Sequence, residues 1–147
     1  MIDHRKYTAY CGLYCLDCIP SNKELFDLLD ELESLLEEIN FKKYAELKSK
    51  SNETFNNYSK FVEVLYEIKK LECRALCTEG GCKENCKIRE CVKEKGYEGC
   101  WKCDDFKECE LLDNLKDIHS IEHNLEMIKE NGIVNWADKR GKHYNWL

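Results

Sequence analysis

At 147 residues, with 35% charged residues and a formal net charge of -6, the chain has the length of one ordinary domain, able to bury about two-thirds of the surface its unfolded form exposes. The acidic balance argues against a protein that coats nucleic acid or anionic membrane. Nowhere do eighteen apolar residues run together, and Met1–Tyr10 mixes Asp3, His4, Arg5 and Lys6, so neither a membrane span nor a secretory leader is expected and a cytoplasmic address follows.

The eleven cysteines are then expected as reduced thiols used as ligands, because cytosolic disulfides are uncommon. The first three, Cys11, Cys15 and Cys18, follow Tyr7 and Tyr10, which read as core-facing aromatics. A cysteine-free stretch, 19–72, comes next. Ser21 and Glu24 form a capping box that predicts a helix start. Leu25, Leu28, Leu29, Leu32, Leu35, Leu36 and Ile39 then recur at three-to-four spacing, the mark of an amphipathic helix. After a break near Asn40, Phe41, Tyr44 and Leu47 extend the pattern. Asn52 to Asn57 reads as a polar loop, and Tyr58, Phe61, Val62, Leu65, Ile68 and Leu71 predict a further helix. Residues 21–72 are thus expected as a helical hairpin or small bundle.

The stretch 73–109 carries Cys73, Cys77, Cys82, Cys86, Cys91, Cys100, Cys103 and Cys109, while sixteen of its 37 residues are charged. So little apolar surface cannot offset backbone ordering at roughly 1–2 kcal/mol per residue, and the segment needs crosslinks or metal. Thiolates are soft, charged ligands, and four around one ion replace many weak contacts by a few strong ones. Cys15-Leu-Asp-Cys18 and Cys100-Trp-Lys-Cys103 have the two-residue gap that lets both sulfurs reach one ion, with Gly99 expected to give the second turn its freedom. A helix is expected over Glu84 to Lys95, ended by Gly96, with Cys91 beside Ile88 and Val92. Its Lys83, Lys87, Arg89, Lys93 and Lys95 read as a solvated face.

Ligand counting divides eleven into four, four and three. Grouped in sequence order, Cys73, Cys77, Cys82 and Cys86 hold one centre, Cys91, Cys100, Cys103 and Cys109 another, and Cys11, Cys15 and Cys18 form a third with an open position. The alternative joins the first triplet to one cysteine of the later stretch, stapling the two ends of the fold together. The Cys11-x3-Cys15-x2-Cys18 spacing is also that of radical S-adenosylmethionine enzymes, but the chain has neither the length nor the alternating strands of their barrel. In the tail, Leu111, Leu115, Ile118, Ile121, Leu125 and Ile128 predict one amphipathic helix capped at Asn131-Gly132. His119 and His123 would share a face of it as boundary residues rather than ligands. Trp136, His143, Tyr144 and Trp146 make an aromatic terminus expected to dock onto the core.

Tyr10-Cys11-Gly12-Leu13-Tyr14-Cys15-Leu16-Asp17-Cys18 resembles the opening of a cysteine-rich bacterial and archaeal domain-of-unknown-function family, family number 3795. Cys86-Lys87-Ile88-Arg89-Glu90-Cys91, Lys93 to Gly96, Cys100-x2-Cys103-x2-Phe106-x2-Cys109-Glu110 and the tail from Asn124 to Trp136 are similar to its later signatures. The resemblance implies zinc ligation and offers no reaction. Its departure is the Cys82-x3-Cys86 spacing, looser than the two-residue gap of the family pattern.

The expected fold is mainly α, a small helical bundle with cysteine-rich, metal-stabilised loops and minimal β. It reads as a single domain, 1–147, with a helical insertion at 19–72 and a C-terminal helix and aromatic tail at 110–147. The expected function is a binding or scaffold module holding two or three structural Zn2+ ions. The alternative is an iron-sulfur protein with [4Fe-4S] clusters for electron transfer or sensing. An enzyme is disfavoured, since no Glu or His stands in an acid-base motif beside a cysteine pair. The expected partner is another protein or a redox partner, not a membrane, with nucleic acid disfavoured.

Overall fold

The computed structural model describes residues 1–81 and 83–141; Cys82, His143, Tyr144 and Trp146 lie outside the described residues. The chain divides into two compact units, one formed by Met1–Cys18 with Cys73–Leu147 and the other by Ile19–Glu72. Among the described residues the structure is a small, mainly helical bundle without β-strands. Among the described residues, no helix is long and apolar enough to cross a membrane.

The Ile19–Glu72 unit opens with helix α1, Lys23–Glu38. Its start lies one residue beyond the expected cap: the Oδ1 of Asn22 accepts the Leu25 N–H at 3.1 Å, while Ser21 closes a short 3-10 turn, Ile19–Ser21. Asn and Ser cap comparably well, so the choice falls to the geometry that follows Pro20. At Asn40 the backbone turns left-handed, φ 52°, a conformation Asn tolerates better than other non-glycine residues. Helix α2, Phe41–Lys48, begins directly after it. The expected polar loop is a 3-10 turn, Glu53–Asn57, capped by Asn52 through the Thr54 N–H, and helix α3, Tyr58–Lys69, follows.

The core of this unit is thin. Only Phe26 and Ala45 are fully covered among its described apolar side chains, with Phe41 packed against Tyr44, Phe55 and Tyr58 at ring separations of 5.5, 6.4 and 5.3 Å. Lys69 of α3 pairs with Asp30 at 2.8 Å and with Glu33, both on α1. Those two carboxylates, as hydrogen-bond acceptors first, hold the Lys69 ammonium above its usual range.

The other unit contains α4, Lys87–Glu94, α5, Glu110–Lys116, α6, Ile121–Asn131, and α7, Trp136–Lys139. The single tail helix expected from the apolar spacing is two helices. A turn over Asp117–Ser120 separates α5 from α6, with the His119 N–H donating to Leu115 O at 2.7 Å. The end at Gly132, φ 75°, is where the spacing places it. Leu112, Ile121, Leu125, Ile128 and Trp136 form the fully buried centre.

The segment before the first cysteine is folded onto that centre as a tight loop. Ala9 N–H donates to Leu13 O, Gly12 N–H to Ala9 O, and Cys15 N–H to Tyr7 O, and Thr8 and Tyr14 make an antiparallel bridge. Gly12 sits at φ 86°, and a Cβ there would lie 2.9 Å from Leu125 Cδ2, so both backbone and space require glycine. Asn124, fully buried, donates to Gly12 O at 2.9 Å. The Trp136 indole N–H donates to Thr8 Oγ1 at 3.0 Å, and that hydroxyl donates to His4 O. His4 Nε2 donates to Asp138 at 3.0 Å while Nδ1 pairs with the Tyr14 hydroxyl at 2.7 Å. Arg140 lies over the Tyr14 and Trp136 rings and pairs with Asp17. Trp136 is therefore docked on the core as expected.

Candidate functional site

Cysteines stand at the edges of tight turns in this unit. The Cys18 N–H closes onto Cys15 O at 3.2 Å, and the Cys103 N–H onto Cys100 O at 3.0 Å. Gly80 N–H closes onto Cys77 O at 3.2 Å, and Cys109 N–H onto Phe106 O at 3.3 Å. Each two-residue knuckle is thus a single 3-10 turn, which turns both side chains toward one side.

Gly99 is needed for a different reason from the one expected. Its backbone is extended, φ 179°, a conformation open to any residue. The constraint is space, since a Cβ would lie 2.0 Å from Cζ3 of the buried Trp101 ring. Arg89 also departs from expectation. It is not on a solvated face but 9% exposed, donating to the carbonyls of Gly81, Lys83 and Glu84 at 2.8–2.9 Å. One guanidinium therefore organises the loop that leads into α4, whose first helical residue, Lys87, follows Cys86 at the cap.

Cys91, Cys100, Cys103 and Cys109 line one small cavity together with Ile88, Val92 and Phe106. The cavity measures about 30 Å³, room for a small ion and far below the roughly 300 Å³ at which organic ligand pockets begin. Lys95 Nζ approaches Cys103 Sγ at 3.9 Å, and the Cys103 and Cys91 sulfurs hold its ammonium above the usual range.

A second neighbourhood interleaves the two ends of the unit. Cys15 lies within electrostatic reach of Cys18, Cys73 and Cys77, and Cys11 within reach of Cys77, Cys100 and Cys86. Cysteines of the first triplet thus have sulfurs of the later stretch among their neighbours. Cys73 Sγ donates to Ala75 O at 3.0 Å.

Burial dominates the acidity of these thiols. It raises Cys11 well above the usual thiol range, against the Leu13 N–H and with the neighbouring sulfurs adding to the rise. Cys15 is pushed up to about 12 by burial, partly offset by the Cys77 N–H and reinforced by Cys18, Cys73 and Cys77. Cys100 is pushed up to about 12 by burial and then by Cys109, Cys91 and Cys103. Thiols so disposed stay protonated and inert as nucleophiles unless a cation replaces their protons.

Among the described residues, no three Cys, His, Asp or Glu side chains converge on a point that would hold an ion. Sharing a cavity and closing on one point are different conditions, and only the first is met by Cys91, Cys100, Cys103 and Cys109. The two histidines do not form a pair on one helix. His119 lies in the turn before α6, where burial lowers its pKa, and His123 Nε2 donates to Arg140 O at 3.1 Å.

The fold and its thiols define a mainly α-helical, cysteine-rich domain. Residues 7–114 match the family described as "Protein of unknown function (DUF3795)", and the chain belongs to that family. No curated protein and no solved structure matches the chain.

Proposed function

We propose that the protein binds metal through its cysteines, zinc foremost, and that the ions hold together a binding or scaffold module with no chemistry at the metal. The observation that carries this reading is the common cavity lined by Cys91, Cys100, Cys103 and Cys109. Four soft sulfur donors around a space of ionic size fit zinc or an iron-sulfur centre better than a hard cation. Cys11, Cys15, Cys18, Cys73, Cys77 and Cys86 supply donors for a further centre, and Cys82 belongs to the same stretch of chain. A bound ion would supply crosslinks between turns that bury little apolar surface; Arg89, Gly99 and Trp101 set the backbone of those turns.

The test is elemental analysis and a visible spectrum on protein purified without oxygen. About two or three equivalents of zinc without colour are expected from eleven thiols at four per ion. Iron with acid-labile sulfide and broad visible absorption would replace zinc by clusters. Protein that folds with neither metal would overturn ligation altogether.

A further inference from the structure

We infer that the outer face of α1 is a docking seam for a basic amphipathic helix of a partner protein. The observation is a heptad register within Lys23–Glu38 and its cap residue Ile39. Leu25, Leu32 and Ile39 occupy one apolar position of the repeat, and Leu28 and Leu35 the other. An alternating four-three spacing of this kind is the seam of a coiled coil, where each side chain inserts between four of a facing helix. Here the facing helix is missing from the unit's own fold. Leu28, Leu32, Leu35 and Ile39 are 57%, 39%, 50% and 63% exposed, whereas Leu29 and Leu36, one position round the helix, are half-buried.

Charge selects the occupant. Glu24, Glu31 and Glu38 recur every seven residues immediately before the seam positions Leu25, Leu32 and Ile39, forming an acidic column along one edge. Three other α1 acids are engaged, Asp27 with Lys23 and Asp30 and Glu33 with Lys69. Among the described residues the column makes no ion pair. Such flanking positions set partner choice in paired helices, each glutamate facing a flanking residue of the partner. A second copy of α1 answers poorly: antiparallel pairing sets glutamate against glutamate, and parallel pairing sets it against Leu29 or Leu36. Lysine or arginine at the partner's flanking positions answers well. The same column repels nucleic acid and anionic lipid.

The inference is independent of metal ligation, because no cysteine lies in Ile19–Glu72. Its test uses the full chain and two labelled synthetic helical peptides with identical leucine seams, one flanked by lysine and the other by glutamate. Fluorescence anisotropy should show the lysine peptide binding about ten-fold tighter or more, with the difference shrinking as salt rises. A variant carrying Glu24→Lys, Glu31→Lys and Glu38→Lys, all exposed and checked for unchanged helix content, should reverse the preference. Leu35→Gln should weaken both peptides. Equal binding, no binding, or a preference unmoved by charge reversal overturns the proposal. So does concentration-dependent dimerisation in light scattering that excludes the peptides, which would assign the seam to a second copy.

Discussion

The backbone N–H of Cys100 donates to the carbonyl of Tyr10 at 2.8 Å, fastening the Cys100–Cys103 knuckle to the residue that precedes Cys11. A backbone bond of this kind sets the register between two cysteine segments whatever their side chains hold, and it places Cys11 within electrostatic reach of Cys100.

The knuckle depends on Gly99. Gly99→Ala should destabilise the protein by about 1–3 kcal/mol, because the new methyl group displaces the Trp101 ring from its buried seat. A lowered urea midpoint with an unchanged slope would confirm it. A midpoint equal to that of the parent would show that Trp101 is not held against Gly99.

Trp136→Phe removes the indole N–H that Thr8 Oγ1 accepts and leaves space at a fully buried position. The expected loss is about 1–3 kcal/mol, from one hydrogen bond and a partial cavity. Thr8→Val in the Trp136→Phe background should cost less than Thr8→Val alone, since the two share one bond. A double-mutant cycle in chemical denaturation measures the difference.

Arg89→Lys preserves charge but not the fork that reaches three carbonyls. We expect about 1–3 kcal/mol of destabilisation, with faster amide exchange focused on the segment around Lys83 and Glu84. Exchange unchanged there, or raised evenly across the unit, would count against the role given to Arg89.

Burial lowers the His119 pKa in the fold, while the unfolded chain titrates near 6.5. Below that value the unfolded state takes up a proton that the folded state resists. Stability is therefore fully present above about pH 6.5 and is lost as pH falls through the folded value. His119→Gln should flatten that part of the curve of urea midpoint against pH, and a curve parallel to the parent's would refute the assignment. Acid release of any thiolate-bound ion affects both proteins and cancels in the comparison.

Cys109→Ser should lower bound zinc by about one equivalent, as the shared cavity loses one of four sulfurs. Cys91→Ser combined with Cys109→Ser should lower it no further. Loss of a second equivalent in the double variant would place Cys91 and Cys109 on different ions.

What was legible in the sequence was local. The leucine spacing of α1, the break at Asn40, the helix after Tyr58 and the Gly132 end each rest on interactions within a few residues. The placement of Cys91 beside Ile88 and Val92 is equally local, and it survives in the cavity. The split of the tail helix was not legible, because Leu115, Ile118 and Ile121 keep helical spacing across a turn that only backbone geometry reveals. Arg89 and Gly99 were misread for one reason. Their roles are set by the carbonyls of another loop and by a tryptophan ring, and neither leaves a periodic trace. A charged residue one turn from a buried valine was the available hint for Arg89. The later-stretch sulfurs that neighbour Cys11 and Cys15 were not legible either, since spacing says nothing about which distant turns meet.

The loop around Gly12 has a bearing on how the protein is made. Its hydrogen-bond partner Asn124 is 112 positions further along the chain, and the indole that meets Thr8 is 128 positions away. A ribosome synthesises the first three cysteines long before the side chains that seat them. During that interval Cys11, Cys15 and Cys18 belong to an unfolded nascent chain, accessible to oxidants and to free metal. Assembly of this unit is accordingly a late event, with the Ile19–Glu72 helices emerging before the last of its parts.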